Sequence, residues 1–352
     1  MSNEPIRILQ VVGRMDRGGI ETMIMNLYRH IDRSKVQFDF LVHRQERGAY
    51  DDEIEAMGGR IYRMCPIYPQ NFSKYKKMLK VFFDEHPEYK ILHSHMSELG
   101  CYAFIEAQKR GIKIKIRPYV SHMFVCGQAS GMWLFGEKNT SKFIQVNNAI
   151  DSLKYKNNPT YSNEVKEELG VTRNQLVVGH IGRFNTQKNH EFLIDIFSQV
   201  HKLNPDSVLV LVGNGILENR IKEKVKSLSL ESNVLFLGTR DDINRVVQCF
   251  DVFLFPSLFE GLGIVLIEAQ AAGVPCLTSK KVVAKEACIT DILEYYPLNE
   301  SPLNWAKKAL ELAARPKRNT TDEIINAGFD IKSNAQWLEE FYINEYNKNY
   351  KD

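Results

Sequence analysis

The sequence predicts an α/β protein made of two doubly wound, Rossmann-like parallel-sheet domains. The chain has 352 residues, which is more than one ordinary domain holds. Short apolar runs typical of buried strands alternate with stretches of helical periodicity, the pattern of a parallel sheet with helices on both faces. This alternation stops at the polar segment 154–163 and then begins again, so we interpret that segment as an interdomain linker.

The first half of the chain contains five predicted strands. The run 6–12 is apolar and ends at a glycine, and Ile20, Met23 and Leu27 then recur at helical spacing, so a helix begins near Gly19. The same reasoning predicts further strands at 38–42, 60–63, 90–94 and 112–116, and helices at 51–57, 75–85 and 99–110. These elements form a first domain of residues 1–160.

The second half repeats the alternation and predicts a second domain of residues 161–334. Its predicted strands are 176–181, 208–212, 234–237, 252–255 and 276–279, and its predicted helices are 189–203, 218–228, 242–248 and 263–272. The tail 333–349 carries Trp337, Leu338 and Phe341 at helical spacing, which predicts a packed helix.

Composition excludes several classes of protein. The formal net charge is only +3, without the clustered basic excess of a nucleic-acid binder. The six cysteines form no C-x-x-C pair, which favours buried thiols in a reducing compartment. The polar N-terminus leads directly into a strand and does not resemble a signal peptide, and no run of 18 apolar residues could span a membrane. We therefore expect a cytoplasmic protein.

Ligands of doubly wound sheets bind beyond the carboxyl ends of the strands, beside helix N-termini, so the loops after the strands hold the candidate residues. Gly18 and Gly19 follow the first strand and would let the backbone approach an anion closely. An ordinary strand-to-helix turn explains them equally well. They do not form a G-x-G-x-x-G motif, so they give no support to a dinucleotide-binding enzyme.

The loop 182–188 follows the predicted strand 176–181 and places two cations at its end. Arg183 offers a planar fork for bidentate hydrogen bonds, and Lys188 offers a compact charge. Both would neutralise a diphosphate. The alternative is a solvated loop with two surface cations.

The segment 260–268 is the most informative motif. Glu260 lies in the loop after the strand 252–255, and Glu268 lies in an otherwise apolar helical stretch. Gly261 and Gly263 leave the helix N-terminus open to a phosphate. A buried carboxylate such as Glu268 needs a partner or a ligand. A surface salt bridge is the alternative for Glu268.

The remaining predictions concern His93 and His95 and the binding of metal ions. His93 and His95 end a predicted strand, where an imidazole could contact a sugar or an acceptor, although a hydrogen-bonded core histidine explains His93 equally well. Nothing in the sequence has the Asp-x-Asp or His/Cys spacing that holds a divalent cation, so we predict no metal and no cofactor.

These motifs resemble the family 4 retaining glycosyltransferases of the GT-B fold, in particular bacterial enzymes of exopolysaccharide and capsule synthesis. The residues that carry the resemblance are Gly18-Gly19-x-Glu21, Gly182-Arg183 with Lys188, Trp133-Leu-Phe-Gly136, Val146-Asn-Asn-Ala-Ile-Asp151, Gln187-Lys-Asn-His190, Glu260-Gly-Leu and Glu268-Ala-Gln-Ala-Ala-Gly273. The resemblance covers nearly the whole chain. It implies two Rossmann-like domains that face a central cleft, with a C-terminal helix, 335–352, returning to the first domain.

The resemblance also implies roles for individual residues. It implies that Glu268 binds the ribose hydroxyls of a nucleotide-sugar donor, that Glu260 binds the sugar, and that Arg183 and Lys188 stabilise the departing diphosphate. Further implied donor contacts are the backbone of Gly261, Leu262 and Gly263, Gly19 beside Gly18 from the first domain, and the loop from Gly238 to Arg240 near the base. His95 is implied as a contact of the acceptor or the transferring sugar.

The implied reaction moves a hexose or N-acetylhexosamine, with retention and without a metal, from a UDP-linked donor to a lipid-linked polysaccharide acceptor. The chain departs from the family after residue 116, where about 30 residues that usually shape the acceptor side have no counterpart, an estimate based on typical loop lengths. Peripheral membrane contact would involve the basic and aromatic residues of 68–83, for which an ordinary amphipathic surface helix is the alternative.

Two other functions remain open at the level of sequence. A sugar-nucleotide epimerase has the same fold but needs additional acid and base carboxylates in the cleft. A non-catalytic sugar-nucleotide-binding partner in polysaccharide assembly is compatible with the short segment after residue 116. The presence of Arg183, Lys188, Glu260 and Glu268 together argues against such a partner, because binding alone does not require the whole set.

Overall fold

The computed structural model describes residues 4–96, 101–112, 123–125, 131–132 and 135–350. The chain divides into two compact units, the first made of Met1–Ala149 and Ile331–Asp352 and the second of Ile150–Asp330. Each unit contains its own parallel sheet with helices packed against it. The predicted fold class, α/β with two Rossmann-like parallel-sheet domains, is confirmed.

The first unit is built on a four-stranded parallel sheet in the order β3-β2-β1-β4. Its strands are β1 (Ile6–Val12), β2 (Val36–Val42), β3 (Ile61–Arg63) and β4 (Ile91–Ser94), and a separate parallel pair contains β5 (Met123–Val125) and β6 (Phe143–Gln145). Its helices are α1 (Gly19–His30), α2 (Asp51–Ala56), α3 (Phe72–Glu85), α4 (Cys101–Gln108) and a C-terminal helix (Ile331–Tyr350). The predicted strand 112–116 lies, apart from Ile112, outside the described residues.

The C-terminal helix belongs to the core of the first unit. Ile331, Ala335, Leu338 and Tyr342 are buried along one face and pack with residues of β1, β2 and α1. The spacing of these four residues is that of one helical stripe, which explains why the tail is helical and where it docks.

The second unit contains a six-stranded parallel sheet in the order β12-β11-β10-β7-β8-β9. The strands are β7 (Leu176–Ile181), β8 (Ser207–Val212), β9 (Val234–Phe236), β10 (Val252–Phe255), β11 (Cys276–Ser279) and β12 (Leu293–Tyr296). The helices are α5 (Ser152–Tyr155), α6 (Pro159–Glu168), α7 (His190–Leu203), α8 (Glu218–Ser227), α9 (Ile243–Val246), α10 (Ile264–Ala271), α11 (Pro302–Ala313) and α12 (Thr321–Asn326).

Both faces of the second sheet are buried, which is why its strands are continuous apolar runs. Phe253 and Phe255 point into one core cluster, whereas Val252 and Leu254 point into the cluster on the opposite face. The strand order reverses between β7 and β10, so these neighbouring strands define the topological switch point of the sheet.

The segment 154–163, which the sequence suggested as a linker, is largely helical. Asn158 caps α6 by accepting a hydrogen bond from the backbone N–H of Thr160 at 3.0 Å, and Pro159 occupies the first helical turn. Residues rich in Asn, Pro, Thr and Ser therefore mark a helix N-terminus here and not a loop.

The division between the units falls earlier than the predicted boundary at residue 160. The backbone N–H of Ile150 donates to the carbonyl of Phe329 at 3.0 Å, and the Ser152 hydroxyl donates to Asp330 at 2.6 Å. These bonds tie residues 150–160 to the second unit, although the sequence placed them in the first domain. Residues 331–334 belong to the first unit, because the C-terminal helix already begins at Ile331.

None of the helices in the described ranges combines the length and apolarity that crossing a bilayer requires.

Candidate functional site

The candidate site lies at the switch point of the second sheet, where two loops follow β7 and β10. The loop after β7 contains Arg183 and Lys188, and the loop after β10 contains Glu260. Because β7 and β10 are parallel neighbours, both loops leave the same edge of the sheet. The topology thus brings together the predicted cations and carboxylates.

The loop after β7 has a fixed local structure. The Asn185 side chain accepts a hydrogen bond from the backbone N–H of Lys188 at 3.2 Å and caps a short 3₁₀ turn, Thr186–Lys188. Asn189 follows in the left-handed region with φ of 55°, a conformation that asparagine tolerates better than most residues. This turn determines where Lys188 leaves the backbone.

Lys188 and Glu260 form an ion pair across the two loops. Only 16% of the Lys188 side chain and 7% of the Glu260 side chain are exposed, so both charges are largely removed from water. The Lys188 ammonium also lies 4.5 Å from the centroid of the Phe255 ring. The two charges that the sequence predicted to bind a donor therefore neutralise each other in the structure.

Additional hydrogen bonds hold the two loops together. The Gln187 amide donates to Glu260 Oε1 at 3.2 Å and to the carbonyl of Phe259 at 3.0 Å. The backbone N–H of Leu258 donates to the carbonyl of Gln187 at 2.8 Å, and the Asn189 amide donates to the carbonyl of Pro256 at 3.1 Å. Gln187 and Asn189 were not predicted as site residues, because their contacts depend on which strands are neighbours.

Glu268 lies in α10 and accepts a hydrogen bond from the Tyr155 hydroxyl at 2.8 Å. Burial raises the pKa of Glu268 to about 7, while the hydrogen bond from Tyr155 and the charge of Lys154 lower it. The same burial, together with the Glu268 charge, raises the pKa of Tyr155 well above its ordinary value. Tyr155 was missed at the sequence level, since 113 positions separate it from Glu268.

The backbone between the two carboxylates is open. An added Cβ at Gly261 would meet no atom within 4 Å, and Gly261 is exposed. Gly263 precedes α10 with φ of 72°, and Leu262 between them is partly buried against the core. The backbone shortly before α10 is therefore open at Gly261. The predicted contacts of Gly261, Leu262 and Gly263 with a donor stay a prediction.

Arg183 is exposed beside this cluster. No hydrogen bond or ion pair joins its side chain to another residue in the described ranges. Its guanidinium is therefore available to bind an anion at the end of β7.

The loop after β8 is packed against the loop after β7, and the loop after β9 is packed against the loop after β8. The backbone N–H of Gly182 donates to Val212 at 2.9 Å, and that of Gly213 donates to Gly238 at 2.8 Å. Gly238, with φ of 63°, is therefore adjacent to the site. Arg240 is engaged by carboxylates: it pairs with Asp242 at 2.8 Å and with Glu168 at 2.9 Å, which raises its pKa further.

The remaining predicted site residues belong to the first unit. Gly18 precedes α1, and an added Cβ there would lie 2.2 Å from the Glu21 carboxylate, whereas Gly19 has open space around it. His95 Nε2 lies 2.9 Å from Gln10 Oε1, so it donates to that amide oxygen. The His95 ring stacks on His93 at 4.3 Å, and burial lowers the pKa of both imidazoles, that of His93 to about 4.

Two buried histidines of the second unit were not predicted as site residues, although His190 ends the family motif Gln187-Lys-Asn-His190. His180 Nδ1 lies 2.8 Å from the Leu254 carbonyl, so this nitrogen carries the proton, while Nε2 has no partner among the described residues. His190 stacks on Phe184 at 4.1 Å, and neither of its ring nitrogens has a described partner. Burial lowers the pKa of His190 to about 4, so both rings are neutral at pH 7.

Within the described part of the chain, no group of three or more His, Cys, Asp and Glu side chains stands together in a way that could hold a metal ion. Among the described residues at the switch point, Lys188 and Glu260 form an ion pair and Arg183 is exposed on the same loop as Lys188.

Residues 162–293 match the family model described as "Glycosyl transferases group 1". A curated relative is 32% identical across nearly the full length of both chains. The chain therefore belongs to the group 1 glycosyltransferases, which have the GT-B fold, and is a glycosyltransferase.

Among the relatives, EpsF of Bacillus subtilis, which is named as a glycosyltransferase, is the one with 32% identity, over 99% of this chain and 98% of its own length. That alignment spans 379 positions, more than this chain has residues, so EpsF carries residues without a counterpart here. The UDP-Gal:alpha-D-GlcNAc-diphosphoundecaprenol alpha-1,3-galactosyltransferase of Escherichia coli is 25% identical over 87% of this chain and 89% of its own. HepE of Anabaena, solved with UDP, is similar in fold, with a TM-score of 0.79, 18% identity, and coverage of 96% of this chain and 100% of its own.

Proposed function

We propose that this glycosyltransferase transfers a hexose or N-acetylhexosamine from a UDP-linked donor to a lipid-linked acceptor in bacterial surface-polysaccharide synthesis. The observation that carries the donor half of this proposal is the Lys188–Glu260 ion pair at the switch point of the second sheet, with Arg183 exposed on the same loop as Lys188 and Glu268 in the helix that follows Glu260. The presence of UDP in the structure of HepE supports the choice of nucleotide. The name of the Escherichia coli relative, which includes a diphosphoundecaprenol acceptor, supports a lipid-linked acceptor.

Each group of the cluster has a distinct role in this proposal. Glu268 accepts hydrogen bonds from the ribose hydroxyls, and Glu260 accepts from hydroxyls of the donor sugar. Arg183, Lys188 and the backbone N–H groups of Gly261 to Gly263 bind the diphosphate and stabilise it as it leaves. Gly238 and Arg240 border the base.

The chemistry follows from these roles. The bond between C1 of the sugar and the diphosphate breaks through an oxocarbenium-like transition state, so negative charge develops on the leaving group. Cations near that charge stabilise the transition state more than the ground state, and this difference lowers the barrier. Two side-chain cations and a helix N-terminus supply this stabilisation without a metal ion. The acceptor hydroxyl attacks on the face from which the leaving group departs and gives its proton to the departing diphosphate, and the configuration at C1 is retained.

A thermal-shift screen against UDP, GDP, ADP and their sugar conjugates, with and without EDTA, tests the proposal. A ligand at 100 times its dissociation constant adds about 2.7 kcal/mol to the free energy of unfolding, which is a readily measured shift. We expect stabilisation by uridine nucleotides that is indifferent to EDTA and lost in Glu268→Ala. Absence of a shift with every nucleotide would refute the proposal.

A further inference from the structure

The Lys188–Glu260 ion pair occupies both groups that a donor would use. The pair is largely buried, and the Gln187 amide fixes the same carboxylate oxygen, Glu260 Oε1, that accepts from Lys188. Buried opposite charges attract each other more strongly than exposed ones, because less water screens them. A ligand that binds either group must therefore replace an interaction that already exists.

The two parts of a nucleotide sugar differ in what they offer to this pair. The diphosphate is an anion and competes with Glu260 for Lys188, and it is also repelled by the Glu260 carboxylate. The sugar carries hydroxyl donors and can satisfy Glu260 once Lys188 has turned to the diphosphate. An intact nucleotide sugar replaces both partners of the pair, whereas a nucleoside diphosphate replaces only the partner of Lys188 and leaves Glu260 as an uncompensated charge.

We propose that the Lys188–Glu260 pair makes the donor site discriminate against the nucleoside diphosphate product in favour of the intact nucleotide sugar. This inference rests on the proposed function of the site. Its consequence is that Glu260 has a second task besides contacting the sugar: it weakens binding of the spent nucleotide, which limits product inhibition and favours exchange for a new donor.

The experiment is a calorimetric titration at fixed pH and salt with UDP and with a UDP-sugar. The sugar nucleotide is whichever of UDP-glucose, UDP-galactose and UDP-N-acetylglucosamine stabilises the wild-type protein most. In Glu260→Gln we expect the affinity for UDP to rise about tenfold, because repulsion and competition both disappear. The affinity for the UDP-sugar is expected to stay equal or to fall, because the neutral amide is a weaker acceptor for sugar hydroxyls.

Glu294→Gln is the matched control. Glu294 belongs to the same unit and forms an ion pair with Lys308 at 2.8 Å, but it lies on β12, at an edge of the sheet and not at the switch point. We expect it to leave both affinities unchanged. If Glu260→Gln does not fold, Glu260→Asp replaces it in the titration, because this variant keeps the charge on a shorter side chain. We expect Glu260→Asp to raise the affinity for UDP by a smaller factor.

The outcomes separate this inference from the proposed function. A wild-type protein that binds no uridine nucleotide overturns both. If the wild type binds but Glu260→Gln loses affinity for UDP and UDP-sugar in parallel, the donor site stands and discrimination by the ion pair is wrong. A rise in the affinity for UDP without a rise in the affinity for the UDP-sugar, absent from Glu294→Gln, supports the inference, and any other pattern overturns it.

Discussion

Burial of the Glu268 carboxyl has a structural cost, which the proposed binding of ribose would offset. Its carboxyl lies in a helix that is otherwise apolar, and burial moves its pKa to about 7. Below about pH 7 the protonated form of Glu268 is favoured, so the protein loses stability as the pH rises from 4.5, the ordinary pKa of a glutamate, to about 7. Ribose hydroxyls would compensate for that cost by donating to the ionised form.

The first prediction concerns the pH dependence of donor binding. If the ionised form of Glu268 binds the ribose, affinity should increase with pH through about 7 and be about tenfold weaker at pH 6 than at pH 8. A UDP-sugar is the appropriate ligand, because its diphosphate has no terminal phosphate group, which would titrate near pH 6. Binding is measured calorimetrically across this range.

Two variants control this pH profile. Glu268→Gln should bind more weakly at pH 8 and lose the dependence on pH. Tyr155→Phe removes the hydrogen bond that lowers the pKa of Glu268, so the midpoint should move to higher pH. A profile that keeps its midpoint in Glu268→Gln would show that another group titrates.

The second prediction concerns Lys188 and the departing diphosphate. Lys188→Ala should reduce turnover at saturating donor by about 100-fold, the typical loss when one preorganised donor to a developing charge is removed. Turnover is measured as release of UDP from the nucleotide sugar. Lys224→Ala is the control, because Lys224 pairs with Asp195 at 2.7 Å in the same unit, away from the switch point, and should retain wild-type turnover. Equal rates for both variants would remove Lys188 from the reaction.

The sequence could predict the charged residues of the candidate site but not the residues that support them. Arg183, Lys188 and Glu260 follow strands, where ligands of this fold bind, so residue type and position are sufficient. Gln187, Asn189 and Tyr155 act through contacts with residues that are distant in the chain, and polar residues of these types are common in surface loops. Gln187 and Asn189 belong to a motif of the family, but their contacts follow only from the strand order, and the contact of Tyr155 follows only from the packing of α5 against α10.

At the scale of the element, apolar periodicity predicted the buried strands well. The predicted strands 176–181, 252–255 and 276–279 agree with β7, β10 and β11 as observed. Apolar periodicity predicted short or polar elements less well. It missed β12, and it assigned α6 to a linker, because an Asn-Pro helix start and a loop have the same composition.

The third prediction tests the close packing of the loops after β7 and β8. Gly213 has φ of 130°, and an added Cβ would lie 2.2 Å from the carbonyl oxygen of Gly182. Gly213→Ala should therefore lower the free energy of unfolding by about 2 kcal/mol or more through backbone strain and overpacking. Gly261→Ala is the matched control, since an added Cβ there meets no atom within 4 Å.

Thermal or denaturant unfolding measures both glycine variants. We expect Gly261→Ala to unfold at nearly the wild-type midpoint. Equal losses in the two variants would mean that the loss in Gly213→Ala does not come from its contact with Gly182.

At the scale of the whole molecule, the chain is divided so that one unit is continuous and the other is not. The second unit begins at Ile150 and ends at Asp330, which pair with each other in a parallel bridge. Three buried clusters fill this unit, and they draw their residues from within 150–330. The first unit, in contrast, takes part of its core from residues beyond 330.

The fourth prediction follows from this arrangement. Deletion of the C-terminal helix removes Leu338 and Tyr342 from the core of the first unit, together with the hydrogen bond between Tyr342 and His93 at 2.6 Å. Loss of one large buried side chain typically costs about 2–5 kcal/mol, so loss of the helix should unfold the first unit. A chain ending at Asp330 should therefore retain the thermal transition of the second unit and lose that of the first.

The complementary fragment 150–330 sharpens this test, because its two ends are already adjacent and its cores are complete. We expect it to fold cooperatively and to bind UDP in a manner that depends on Glu268, since the switch point, Tyr155 and both loops lie within it. Calorimetry and circular dichroism compare the fragment with the chain truncated at Asp330. If truncation abolished both transitions, the second unit would depend on the first for its stability. If the fragment folded but did not bind UDP, nucleotide binding would require residues of the first unit.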